Sequence, residues 1–147
     1  IELHRRRFEH SGIVFERDVP GGLPLVDADP AMVRRLLTNL IINAREAIQG
    51  QGTVRVVAAV DPNGESISIR VQDSGIGIAA ETAGQLFEPF FTTKESGAGI
   101  GLAMVKQVAD AHGWIIICGN RLEEKGAEFI VRIPLKKPSR SNRRPAS

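Results

Sequence analysis

The residues able to do chemistry fall in four short stretches of the chain. In residues 36–48, LLTNLIINAREAI, Asn39 and Asn43 stand four apart, so on a helix their amides are neighbours aimed the same way. Val33, Leu36, Leu37, Leu40, Ile41, Ala44, Ala47 and Ile48 form one broad apolar stripe at the helical period. The two asparagines flank that stripe, and an amide beside a core needs partners or water. An isolated pair of this kind commonly caps backbone or meets solvent, so the stretch does not identify a site by itself. The second stretch is Asp73-Ser74-Gly75-Ile76-Gly77. Ile67, Ile69 and Val71 share a strand face and Asp73 continues their parity, which aims its carboxylate toward the core. A carboxylate there is costly without donors, and a ligand amino group is one candidate. Gly75 and Gly77 let the chain turn sharply and approach a ligand closely; the plain alternative is a strand end with a glycine turn.

The third stretch, Gly97-Ala98-Gly99-Ile100-Gly101-Leu102, runs directly into a helix. Glycines ahead of a helix N-terminus offer backbone N–H groups to an anion, and the helix dipole favours its charge. A dinucleotide fingerprint would need glycine where Leu102 stands, and no clear strand precedes Gly97; the chain also has no P-loop motif. In the fourth stretch, Phe87-Glu88-Pro89-Phe90-Phe91-Thr92-Thr93-Lys94, three phenylalanines lead into two hydroxyls and a cation. Apolar anchors at one end and glycines at the other suit a hinged lid.

These stretches need a scaffold. Residues 1–10 read as the last turns of a helix arriving from an upstream domain, and residues 12–19 as a short strand. Asp29-Pro30 supplies an N-cap and a first-turn proline for a helix running to about Gly50. Strands are predicted at 53–60 and 66–73, joined by Asp-Pro-Asn-Gly as an antiparallel hairpin. A short helix is predicted at 79–86 within the irregular segment 74–101, and a longer one from Gly101 to His112 that stops at Gly113. Strands at 114–119 and 127–135 close the domain.

The 147 residues are enough for one domain with a real core. The formal net charge of +2 conceals an uneven distribution: residues 136–147 carry five of the 19 basic side chains and none of the 17 acidic ones. That Pro/Ser/Arg tail reads as a solvated terminus, and the body lacks the basic stripe with interleaved aromatics that nucleic-acid binding calls for. No stretch reads as a signal peptide or a spanning helix. The single cysteine, Cys118, excludes an intrachain disulfide and fits a reducing compartment.

Taken in order, NLIINA, DSGIG, FEPFFTTK and GAGIGL resemble the N, G1, F and G2 boxes of the sensor histidine kinase ATP-binding domain, with the F box most similar to the nitrogen-regulation branch. The resemblance spans about residues 12–135. It implies an α+β fold: a two-layer sandwich of a mixed, mostly antiparallel sheet on about three helices with an ATP lid, shared with type II topoisomerases, heat-shock chaperones and mismatch-repair ATPases. On this basis residues 11–135 are the catalytic domain, 1–10 the end of a linker helix and 136–147 a disordered tail.

The resemblance further implies ATP and Mg2+ as cofactors. Asn43 would bind the magnesium ion, with Asn39 supporting it from the preceding turn. Asp73 would accept from the adenine amino group, and Gly75, Gly77 and Ile78 would shape the base pocket. Gly97, Gly99, Gly101 and Leu102 would form the phosphate loop, with Thr92, Thr93 and Lys94 reaching the outer phosphates from the lid. Asn39, Asn43 and Lys94 are the catalytic candidates. Hydrolases of the superfamily place a glutamate where Asn39 stands, and an asparagine cannot act as general base at neutral pH. The expected reaction is therefore transfer of the γ-phosphoryl group to a histidine on a separate helical domain, with a response regulator downstream. Neither His4 nor His10 has the acceptor's context, and His112 has no catalytic role. The expected setting is the cytoplasmic part of a kinase, the fragment itself monomeric and without membrane or nucleic-acid contacts. A nucleotide-sensing interaction module and a slow ATPase of the same superfamily stand as alternatives.

Overall fold

The computed structural model describes residues 2–8, 12–88 and 101–135, the first stretch as backbone. The elements are β1 (Glu2–Phe8), β2 (Ile13–Val19), α1 (Pro30–Glu46), β3 (Gly52–Val60), β4 (Ser66–Asp73), α2 (Ala80–Ala83), α3 (Gly101–His112), β5 (Ile115–Asn120) and β6 (Ala127–Pro134). The strands form a six-stranded sheet in the order β1-β2-β3-β4-β6-β5. All neighbours are antiparallel except β2 and β3. Those two are parallel because α1 lies between them in the chain and returns it to the same end of the sheet.

The expected α+β sandwich is thus present, with one correction at its start. Residues 2–8 form an edge strand paired with β2 rather than the end of a helix. Their local pattern is a thin apolar stripe among charges, and only the non-local partner β2 decides the conformation. The tail at 136–147 and the lid residues 89–100 lie outside the described residues.

The sheet buries one face. Val54 and Val56 of β3, Val71 of β4 and Phe129, Val131 and Ile133 of β6 pack against Leu36, Leu40 and Ala44 of α1 and Val105, Val108 and Ala109 of α3. Alternate residues face outward as a polar layer, where Arg55 pairs with Asp18 and Arg70 with Glu128. At the β3–β4 turn, Asp61 accepts from the Ser66 and Ser68 hydroxyls and pairs with Arg132. The hydroxyls, above all that of Ser66, hold its carboxyl below the usual carboxylate range.

Both long helices begin or end as their sequence dictates. Asp29 Oδ1 accepts from Ala31 N at 2.9 Å to open α1, with Pro30 in the first turn. α3 stops at Gly113, whose φ of +71° favours glycine. Trp114 follows directly. It is buried, and His112 stacks on it at 4.4 Å between ring centroids while its Nδ1 donates to Val108 O at 2.8 Å. His112 is therefore occupied in ending the helix.

Candidate functional site

α1 is the rail along which the site is laid out. Asn39 and Asn43 are half-buried on the flank of its core stripe, as expected. Asn39 Nδ2 donates to Met104 Sδ at 3.2 Å, which joins α1 to the first turn of α3. Gly101 opens α3 beside it: a Cβ there would stand 4.0 Å from Asn39 Oδ1 and meet nothing closer. The exposed Gly101 at the start of α3 therefore lies beside the Asn39 amide. Leu102, the next residue, is half-buried against the core.

The other end of α1 meets the Asp73 loop. α1 ends at Glu46 rather than near Gly50 because the Ala47 carbonyl accepts from Ile76 N at 3.2 Å. At about 1.5 Å of rise per residue, Asn39 and Ala47 stand about 12 Å apart along the helix, a span suited to an extended nucleoside triphosphate. Gly75 is required at this crossing: a Cβ would lie 2.2 Å from Ala47 O. Gly77 has a φ of +81°, and its Cβ would lie 2.7 Å from Asn120 Oδ1. The sequence suggested that both glycines make room for a ligand. In the structure the room they make is taken up by the protein's own backbone and by Asn120.

Asp73 is 1% exposed. Its Oδ1 accepts from Gly75 N at 2.8 Å, a turn that aspartate favours, and from Ala127 N at 3.2 Å. Two backbone donors offset the cost of taking the carboxylate out of water. The side chain lies on the core side, as its strand parity with Ile67, Ile69 and Val71 predicts.

Residues that the sequence reading passed over complete the loop. Asn120 pairs with both backbone groups of Ile78, Arg121 Nη1 donates to Asp73 O at 3.2 Å, and Gly126 passes so close that a Cβ would stand 1.8 Å from Asp73 O. The glycine ahead of β6 was the available sequence signal, since a strand start seldom needs one. Thr92, Thr93, Lys94, Gly97 and Gly99 lie outside the described residues. Among the described residues no group of three or more His, Cys, Asp or Glu could hold a metal. The donor set of Asn39 and Asn43 is a pair of neutral amides. An amide oxygen suits a hard cation whose charge is met by phosphates and water, so these residues fit magnesium arriving with a nucleotide.

Residues 28–137 match the family of histidine kinase-, DNA gyrase B-, and HSP90-like ATPases. The chain belongs to this family. Its closer likeness within the ATPase family is to sensor kinases: it is 42% identical over 113 residues to sensor histidine kinase ZraS of Escherichia coli O157:H7, covering 77% of this chain and 24% of that protein. It is 37% identical over 137 residues to nitrogen regulation protein NtrY of Azorhizobium caulinodans, covering 88% and 17%, in accord with the nitrogen-regulation branch. The chain thus spans a quarter or less of these curated relatives. The catalytic domain of histidine kinase ThkA, nucleotide-free, matches at a TM-score of 0.73 and 32% identity over 84% of this chain and 81% of that one. Full-length ShkA in complex with AMPPNP matches at 0.73 and 33% over 84% and 26%. Within the ATPase family, then, this is an ATP-binding catalytic domain of the sensor histidine kinase kind. Among the described residues no helix is long and apolar enough to cross a membrane.

Proposed function

We propose that this domain binds Mg-ATP along α1 and donates the γ-phosphoryl group to a histidine on a separate helical domain of the same kinase, from which a response regulator is served. Asp73 accepts from the adenine amino group, while Gly75, Gly77 and Ile78 wall the base. The start of α3, with Gly97, Gly99, Gly101 and Leu102, cradles the phosphates, and Thr92, Thr93 and Lys94 approach them from the lid. Asn43 offers its amide oxygen to magnesium and Asn39 supports it from one turn earlier. Magnesium, when bound, spreads the charge of the phosphate oxygens. The acceptor imidazole nitrogen attacks the γ-phosphorus in line, the bond to the ADP oxygen breaks and leaves ADP, and the proton passes from the imidazole ring to solvent. The protein's own task is to position and to exclude water.

The observation that carries this reading is the buried Asp73 carboxylate, held by Gly75 N and Ala127 N one helix end away from Asn39 and the open start of α3. Asn39 favours transfer over hydrolysis, since an amide cannot take a proton from water. The relative ThkA has been solved in complex with response regulator protein TrrA, which supports the downstream partner. We assign the stretch from β1 to residue 135 to the working domain, acting as a monomer in isolation in a cytoplasmic setting, and 136–147 to a tail without a binding role.

The test is to add the helical phosphoacceptor domain of the parent kinase and γ-labelled ATP. Label on the acceptor histidine is expected. Its absence with intact nucleotide binding favours a sensing module, and brisk phosphate release that Asn39→Ala abolishes favours an ATPase.

A further inference from the structure

We infer that Asn120 is a positioning residue that sets the base selectivity of the adenylate site; the inference rests on the nucleotide reading above. Asn120 is the last residue of β5, an edge strand, and it is exposed. Its amide nevertheless commits both of its hydrogen-bonding groups to one residue 42 positions earlier. Oδ1 accepts from Ile78 N at 2.7 Å and Nδ2 donates to Ile78 O at 2.9 Å. Satisfying the N–H and C=O of a single residue is what a neighbouring strand does. Ile78 lies outside every strand, so a side chain takes that place.

The neighbouring contacts show what is being held. Arg121 Nη1 donates to Asp73 O at 3.2 Å, and Ala127 N to Asp73 Oδ1 at 3.2 Å. The β5–β6 hairpin thereby grips the near end of the loop at Asp73 and, through Asn120, its far end at Ile78. Gly77 permits this, since a Cβ there would stand 2.7 Å from Asn120 Oδ1. Between the grips lies the stretch that walls the base, tied to α1 where Ile76 N donates to Ala47 O at 3.2 Å, so that beyond this tie Gly77 and Ile78 depend on Asn120. A flat ring recognised by one carboxylate must be held to within a few tenths of an ångström, because a hydrogen bond weakens steeply outside its narrow range of distance and angle. With the far grip released, the loop drifts and the ring tilts. Discrimination between a 6-amino and a 6-oxo purine is then lost before stability is.

The experiment measures the ratio of affinities for ATP and inosine triphosphate, together with the unfolding midpoint of the nucleotide-free domain. In the unsubstituted protein ATP is expected to bind more tightly, because the 6-oxo group turns a donor toward Asp73 into an acceptor. A ratio near one there overturns the adenylate reading and this inference with it. Given a preference, Asn120→Ala is expected to narrow the ratio about tenfold, the equivalent of losing most of one hydrogen bond from the 6-amino group to the Asp73 carboxylate. An unchanged ratio, with or without a lowered midpoint, makes Asn120 merely structural and overturns the proposal. Should Asn120→Ala not fold, Asn120→Asp decides by the same ratio, since it keeps the acceptor for Ile78 N but opposes Ile78 O with a second acceptor.

Discussion

The side-chain amide of Asn39 on α1 donates to the thioether sulfur of Met104 on α3 at 3.2 Å. Sulfur is a weak acceptor, so this contact orients the amide more than it stabilises the fold. The orientation leaves Asn39 Oδ1 toward the start of α3, where a Cβ on Gly101 would stand 4.0 Å away. Met104→Leu conserves volume and should cost less than about 1.5 kcal/mol in urea unfolding. Labelled-phosphate transfer to a supplied acceptor domain should nevertheless fall severalfold, and further in Asn39→Ala. Wild-type transfer in Met104→Leu would detach this contact from the chemistry.

The buried acceptor makes the sharpest affinity prediction. Asp73→Asn can still accept from Gly75 N and Ala127 N through one oxygen, so the loop should keep its path. The other position becomes a donor where the adenine amino group also donates. The expected loss is about 1–3 kcal/mol of binding, read in a calorimetric titration with ATP, and an unchanged affinity removes Asp73 from the base pocket.

The framework around these residues was largely legible. The apolar stripe of α1, the proline after Asp29, the Asp-Pro-Asn-Gly turn and the glycine after His112 each carry a local cause, and each element predicted from residue 12 onward lies within a few residues of its place. Two features depended on distant partners. β1 is a strand only because β2 pairs with it, and α1 stops at Glu46 only because Ile76 N claims the Ala47 carbonyl. Asp73 was legible through strand parity, whereas Asn120 and Arg121 were not, and Gly126 showed only as a glycine ahead of a strand, without its partner. They act across 42 or more residues, and nothing in a hairpin end announces which loop it will hold.

Glycine replacements separate close approach from mere flexibility. Gly75→Ala sets a Cβ 2.2 Å from Ala47 O, and Gly126→Ala sets one 1.8 Å from Asp73 O at a φ of +120°. Neither backbone can give way without opening the loop, so each should cost at least about 1–3 kcal/mol of stability. Gly84 has a φ of −74° and nothing within 4 Å of its Cβ position. Gly84→Ala should be neutral or stabilising by about 0.4–1 kcal/mol. Urea midpoints for the three variants check the order.

The Asp61 cluster gives the domain an acid-side dependence. Hydrogen bonds from Ser66 and then Ser68 lower its folded pKa below the ordinary carboxylate value, with burial opposing and Arg132 and Arg70 assisting. A lowered folded pKa contributes stability that is present above the unfolded value and fades as pH falls through the folded one. Asp61→Asn should therefore be destabilising at about pH 7, and the difference should close well below about pH 4. Denaturation at both pH values checks this; a difference that persists in acid would assign the cost to lost packing instead.

Magnesium dependence tests the far end of α1. Asn43 stands one turn beyond Asn39 on α1 and is half-buried like it, and a neutral amide oxygen can complete a cation's shell without adding charge beside phosphates. Removal of that oxygen should spare whatever binding the base and the α3 N-terminus supply alone. Asn43→Ala is thus expected to weaken ATP binding in magnesium more than in EDTA, bringing the two affinities together. A parallel loss under both conditions would point to a displaced helix face, because misplaced packing penalises the nucleotide whether or not a metal accompanies it.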